Sequence, residues 1–224
     1  MQLETYPDRD LLMMRLADRI SADLKECLLT HERATLCVPG GTTPGPVFDI
    51  LSAVDLDWAR VNVLLNDERW VPESSDRSNT ALLRQRLLTG RAAKAKLIPL
   101  VSDAATPEEG LGALTEGLDG VLPISVLLLG MGEDMHTASL FPGADQLDLA
   151  LSDDAPPLVA MRAPGAPEPR ITLSAPVLKQ AMKTHILIVG PGKKAALDQA
   201  AASGPVEDAP VRTVLPNAMV HWAE

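Results

Sequence analysis

The sequence predicts an α/β protein with a mostly parallel, Rossmann-like sheet flanked by helices. Three observations predict it. Short apolar runs alternate with segments of helical periodicity. Two of these runs, 124–129 and 185–189, are almost continuously apolar, as strands covered on both faces are. Each of the strongest runs ends in a Gly-rich or polar turn that leads into a helical pattern.

In chain order, Leu12, Leu16, Ile20, Leu24 and Leu28 recur at helical spacing and predict an amphipathic helix over 11–29. Ala34–Val38 is a strand that ends in Pro39-Gly40-Gly41-Thr42-Thr43-Pro44, and 47–54 reads as a helix. Val61–Leu65 is the next strand. A polar loop then runs through Asn79 to a helix over 81–88, and 96–100 is a third strand. Thr106-Pro107-Glu108-Glu109 marks a helix start: Thr caps, Pro suits the first turn, and Glu109 holds the capping-box position. Residues 124–129 form the most apolar strand, which is therefore expected at the sheet centre. Leu158–Met161 and 171–173 are weaker strands. Residues 185–189 form a buried-type strand that enters a helix through Gly190-Pro191-Gly192, and 220–222 closes the sheet. Residues 153–169, with five prolines, are the most loop-like stretch but too short to divide the chain, so one domain over 1–224 is expected.

The 224 residues, 46% hydrophobic and 22% charged, exclude disorder. No apolar run approaches the roughly 18 residues of a membrane span, and 1–15 lacks the basic-then-apolar order of a signal peptide. Only Cys27 and Cys37 are present, so a disulfide or zinc scaffold is not expected and a reducing cytoplasm is the expected compartment. His31, His185 and His221 show no metal-ligand spacing, and neither a metal nor a cofactor is implied. The net charge of −10 argues against nucleic acid and anionic membranes as partners. A phosphorylated metabolite would need a locally positive pocket made by a few Arg, Lys and backbone N–H groups.

Four loops at predicted strand ends carry unusual polar content. The small residues of Gly40-Gly41-Thr42-Thr43 let backbone N–H groups approach an anion, although the same turn would serve simply to join strand and helix. In Asn66-Asp67-Glu68-Arg69-Trp70, Arg69 either grips phosphate with the neighbouring carboxylates holding its guanidinium, or belongs to a solvated charge cluster. Arg77 and Asn79 are weaker candidates. In the loop after the most apolar strand, Asp134 stands two residues before His136. In an extended segment the two would face the same way, so the carboxylate could orient the imidazole as a general base. The dinucleotide fingerprint begun by Gly130 and Gly132 breaks at Met135, and Ser139 lacks a nucleophile elbow. Lys193 or Lys194, after the Gly-Pro-Gly turn, could close on a phosphate; His185 reads as a packing or edge residue.

Three stretches carry a resemblance: Val38-Pro39-Gly40-Gly41-Thr42-Thr43-Pro44, Asn66-Asp67-Glu68-Arg69-Trp70-Val71-Pro72 with Ser78-Asn79, and Gly130-Met131-Gly132-Glu133-Asp134-Met135-His136-Thr137-Ala138-Ser139-Leu140-Phe141-Pro142-Gly143. Together with Pro169-Arg170-Ile171-Thr172-Leu173 and Gly190-Pro191-Gly192-Lys193, they resemble the single-domain bacterial 6-phosphogluconolactonase family, related in fold to glucosamine-6-phosphate deaminases. The resemblance implies a sheet of the sugar-phosphate isomerase/deaminase type and metal-free hydrolysis of 6-phosphoglucono-1,5-lactone in the pentose phosphate pathway. It implies His136 as general base with Asp134 as companion. Gly40, Gly41, Thr42, Thr43, Arg69 and Lys193 become phosphate contacts, and Arg170, Asn79 and Asp67 further substrate contacts. A small sugar-phosphate lactone is then the partner, and the chain a monomer or weak homo-oligomer. Two positions depart from the family: Met135 stands where glycine is usual, and Pro39 where serine is frequent. If that glycine serves a positive φ, Met135 is strained.

Overall fold

Seven parallel strands form the central sheet of the computed structural model, which describes residues Met1–Glu224. In chain order the elements are β1 (Gln2–Thr5), α1 (Arg9–Thr30), β2 (Ala34–Val38), α2 (Gly45–Ala53), β3 (Val61–Leu65), β4 (Asp67–Arg69), α3 (Asn79–Arg86), β5 (Lys96–Ile98), α4 (Pro107–Glu116), β6 (Val126–Gly130), α5 (Leu147–Leu151), β7 (Leu158–Met161), β8 (Arg170–Leu173), α6 (Ala175–Lys179), β9 (Lys183–Val189), α7 (Pro191–Ala201) and β10 (Ala218–Ala223). Across the central sheet the order is β1-β10-β9-β6-β2-β3-β5, with every neighbouring pair parallel. A second sheet of three antiparallel strands, β4-β8-β7, stands beside it.

The central position of β6 follows from its composition. Val126, Leu127, Leu128 and Leu129 are all fully buried, which only a strand covered by helices on both faces can achieve. Helix α1 begins where the Asp8 side chain accepts from Leu11 N–H at 2.7 Å, and it buries Leu12, Leu16, Ile20 and Leu24 in a hydrophobic cluster of 55 residues. Thr106 caps α4 through Glu109 N–H at 3.3 Å. No helix is long and apolar enough to cross a membrane.

The strand order fixes where a ligand can sit. From β2 the chain steps outward through β3 to β5, and from β6 outward in the other direction through β9 to β10. The order reverses between β2 and β6, and their diverging carboxyl-end loops leave a crevice there. The loops after β9, β6, β2 and β3, four neighbouring strands, are the four polar loops singled out from the sequence.

Some elements differ from expectation. β1 was not anticipated: it is a four-residue edge strand with too little apolar signal, and it displaces β10 from the sheet edge to an interior position. The supposed polar loop after β3 contains β4, a wholly charged strand that exists because it pairs with β8. Its last residue, Asn79, belongs to α3, which starts there because the Ser78 hydroxyl accepts from Ala81 N–H at 3.2 Å. His185 lies on the interior strand β9, not at an edge. Its ring bonds Asp23 at 2.8 Å and His221 at 3.1 Å.

Candidate active site

The crevice opens into a cavity of about 240 Å³. Its floor is made by strand ends, including Leu129, Leu187, Ile188 and Val189, and its rim by side chains from all four loops.

The loop after β2 contributes Gly40, Gly41 and Thr43. Gly41 has φ +81°, and Gly40 lies so close to the Asn79 carboxamide that any Cβ would collide with it. Thr42, expected as a contact, does not line the cavity. It is exposed, and its carbonyl accepts from Gly45 N–H at 3.1 Å as the chain enters α2.

The second sheet brings Arg69 and Arg170 directly opposite each other on neighbouring strands, so both side chains leave the same face. Both line the cavity, and the Nε of each is buried without a partner. Arg69 donates through Nη1 to Arg77 O at 2.6 Å and more weakly to Asn79 Oδ1 at 3.4 Å. Burial, then the nearby Arg170 and Arg77 cations, lower its pKa from the usual guanidinium value. The expectation that neighbouring carboxylates hold the Arg69 guanidinium does not stand. Asp67 turns to Arg170 at 3.4 Å and to the Ser139 hydroxyl at 2.5 Å. Glu68, fully buried, accepts instead from the backbone N–H groups of Arg69, Asn79 and Thr80 and from the hydroxyls of Thr80 and Ser78. Ser139 is itself fully buried, as a packing residue is.

The loop after β6 presents His136. Met135 N–H donates to Gly132 O at 3.1 Å and Gly132 N–H to His136 O at 2.9 Å, which closes a tight turn. Asp134 Oδ1 meets His136 Nδ1 at 2.5 Å and also accepts from His136 N–H at 3.3 Å. The turn, rather than an extended segment, brings the pair together, and it places Met135 at φ 64°, the left-handed region the sequence comparison pointed to. Partial burial works against the Asp134 carboxylate, but the adjoining His136 ring and its hydrogen bonds hold the pKa below the ordinary range. Gly132 lies directly under the pair, where a Cβ would strike both side chains. Phe141, which composition and spacing did not mark, lies between His136 (ring centroids 4.2 Å apart) and the Arg170 guanidinium (5.3 Å from the ring).

At the start of α7, Lys193 lines the cavity and donates to Met131 O at 2.6 Å, whereas Lys194 pairs with Asp198 one turn on. The end of the proline-rich segment is tied to the rim: Arg77 donates to Glu168 at 2.7 and 2.9 Å and lowers that carboxylate to about 2, and Trp70 N–H donates to Pro169 O at 2.8 Å. No group of three or more His, Cys, Asp or Glu side chains is placed to hold a metal ion.

The family model described as glucosamine-6-phosphate isomerases/6-phosphogluconolactonase matches residues 7–222. A 6-phosphogluconolactonase of Rhizobium meliloti is 40% identical, over 99% of this chain and 98% of its own. One of Pseudomonas aeruginosa is 42% identical, over 92% and 88%. The crystal structure of a 6-phosphogluconolactonase from Shewanella baltica superposes with a TM-score of 0.96 at 35% identity, covering 100% of this chain and 98% of that one.

Proposed function

The chain belongs to the glucosamine-6-phosphate isomerase/6-phosphogluconolactonase family, and we propose that within it this protein hydrolyses 6-phosphoglucono-1,5-lactone to 6-phosphogluconate in the oxidative pentose phosphate pathway, as one catalytic domain over 1–224. One observation carries the reading at the level of the site. Arg69 and Arg170 face each other with unpartnered Nε groups in the same cavity that His136 lines. Like charges directly opposite on paired strands destabilise each other; a dianionic phosphoryl group between them removes the repulsion and satisfies both guanidinium groups. Lys193, Gly40, Gly41 and Thr43 extend this anchor, with Asn79 and Asp67 fixing its arginines or meeting the sugar.

A δ-lactone is an activated ester, so one positioned base suffices. Water attacks C1 while His136 takes its proton through Nε2, with Asp134 on Nδ1 stabilising the resulting imidazolium. The tetrahedral oxyanion is met by loop N–H groups. When the C1–O5 bond breaks, the electron pair goes to O5 and the imidazolium returns its proton there, which leaves the open-chain acid. Anchoring the remote phosphate makes the attack effectively intramolecular.

Arg69→Ala tests the anchor. KM for the phosphorylated lactone should rise at least tenfold, while turnover of glucono-1,5-lactone lacking the phosphate stays nearly constant. Equal losses on both substrates would make Arg69 a scaffold residue. Ammonia release from glucosamine 6-phosphate in place of lactone hydrolysis would assign the chain to the deaminase branch.

A further inference from the structure

Asn66 takes no part in the mechanism above, and its side chain has an unusual position. It is 1% exposed, lines the cavity, and extends from the end of β3. Its backbone N–H donates to Val38 O of β2 at 2.9 Å, while its Nδ2 reaches past β2 to Leu128 O of β6 at 3.3 Å. The carboxamide thus spans the floor of the crevice where the strand order reverses. The Leu128 contact fixes which amide atom is the nitrogen, because the opposite orientation would set two carbonyl oxygens together. The remaining atom, Oδ1, is buried with no donor. A buried acceptor left without a donor is costly unless something supplies one.

We propose that Asn66 is a specificity-determining residue that reads a ring hydroxyl of the substrate. The inference rests on the lactonase reading and goes beyond it. Of the groups on a 6-phosphorylated gluconolactone, the ionised phosphoryl oxygens, the carbonyl oxygen and the ring oxygen only accept hydrogen bonds. The hydroxyls at C2, C3 and C4 alone can donate, so one of them meets Oδ1. A site that leaves a buried polar group unpaired rejects the analogue lacking its partner far more strongly than a loss of surface contact would.

The test compares kcat/KM for the parent lactone and its 2-deoxy, 3-deoxy and 4-deoxy counterparts in the wild type and in Asn66→Ala. The wild type should lose about tenfold or more on one deoxy compound. In Asn66→Ala that penalty should shrink to within about twofold, with the other two penalties unchanged. A variant equally slower on all four substrates, with the same deoxy penalties as the wild type, would overturn the proposal and leave Asn66 a bridge between strands. Asn66→Leu, close to asparagine in volume and without an acceptor, provides the same comparison should the alanine variant melt below the assay temperature. The parent lactone separates the two readings. Wild-type protein that fails to accelerate its opening overturns the lactonase assignment, whereas an active wild type with unaltered discrimination overturns only the role of Asn66.

Discussion

Asp134→Asn isolates the contribution of one charge to the proposed base. Asparagine keeps an oxygen that can accept from the His136 backbone N–H and from Nδ1, so the turn and the ring orientation survive and only the carboxylate charge is lost. Two unit charges about 4 Å apart interact by about 1 kcal/mol in bulk water and about 4 kcal/mol at the effective dielectric of a protein surface. Asp134 is half exposed (53%) and His136 less so (29%), so solvent screening moves the value toward the lower limit. Loss of about 1–2 kcal/mol of imidazolium stabilisation lowers kcat by about 5- to 30-fold. Asp134→Ala also frees the ring and leaves the backbone N–H unmet, and should be slower by about a further tenfold. His136→Ala should fall by about 10²–10⁴-fold, with phosphate-ligand binding retained. Because the two residues act as a unit, Asp134→Asn combined with His136→Ala should be no slower than His136→Ala alone. The assay is hydrolysis of freshly generated lactone, followed by acid release and corrected for spontaneous opening. An Asp134→Asn enzyme within twofold of wild type, or a double variant slower by the product of the single effects, would show that the pair does not work as base and companion.

Three further outcomes follow from the same geometry. Gly132→Ala should cut kcat by about 10²-fold or more while moving Tm by less than about 4 °C, because the new methyl displaces Asp134 and His136 without straining the main chain; near-normal turnover would mean that the pair moves freely. His221, fully buried among His185, Tyr6, Glu4, Asp23 and Arg19, is lowered by burial and then by His185 from 6.5 to about 4. The unfolded chain therefore binds the extra proton first. Stability is intact above about pH 6.5 and declines by on the order of 3 kcal/mol as the pH falls to 4, and urea titrations of His221→Gln should lack that slope. In Glu68→Gln the amide NH₂ faces donors whichever way it is turned, which should cost about 3 kcal/mol in chemical denaturation and raise KM as Arg69 and Asn79 shift. An unchanged midpoint would mean that the cluster relaxes without loss.

Elements held by local pattern were legible in the sequence, and elements held by distant partners were not. The stripe of Leu12, Leu16, Ile20 and Leu24 announces α1, and the leucines of β6 announce the sheet centre, since each reports its own burial. Asp67-Glu68-Arg69 carries no apolar alternation. It is a strand because Asp67 pairs with Thr172 and Arg69 with Arg170, about a hundred residues on. The same distance explains why the carboxylate clamp expected on Arg69 is absent: Asp67 and Glu68 adjoin it in sequence, but the pleat and the helix behind it give them other partners. Lys193 and Lys194 are equivalent as letters, yet about 100° apart around a helix, so only one can face the cavity. Asp134 and His136 were paired correctly by spacing for the wrong geometric reason, since a left-handed residue between them does the work that extended backbone was expected to do.

The acidic composition bears on where an anion can bind. With a net charge of −10, several cations outside the cavity have a carboxylate within reach: Arg86 has Asp49, Arg91 has Asp55, Arg162 has Glu108, Lys179 has Asp153 and Lys194 has Asp198. In the cavity the pairing differs. Arg69 donates to a carbonyl and a carboxamide, Lys193 donates to a carbonyl, and Arg170 shares Asp67 with a serine hydroxyl at 3.4 Å. The neutral partners of Arg69 and Lys193 orient these cations without cancelling them, whereas Asp67 offsets part of the charge of Arg170. Three cations facing one carboxylate therefore leave the cavity locally positive on an acidic protein, and low-dielectric walls strengthen the field there. On the lactonase reading, a phosphorylated substrate meets locally positive charge in the same crevice where the base stands, despite the negative charge of the whole chain.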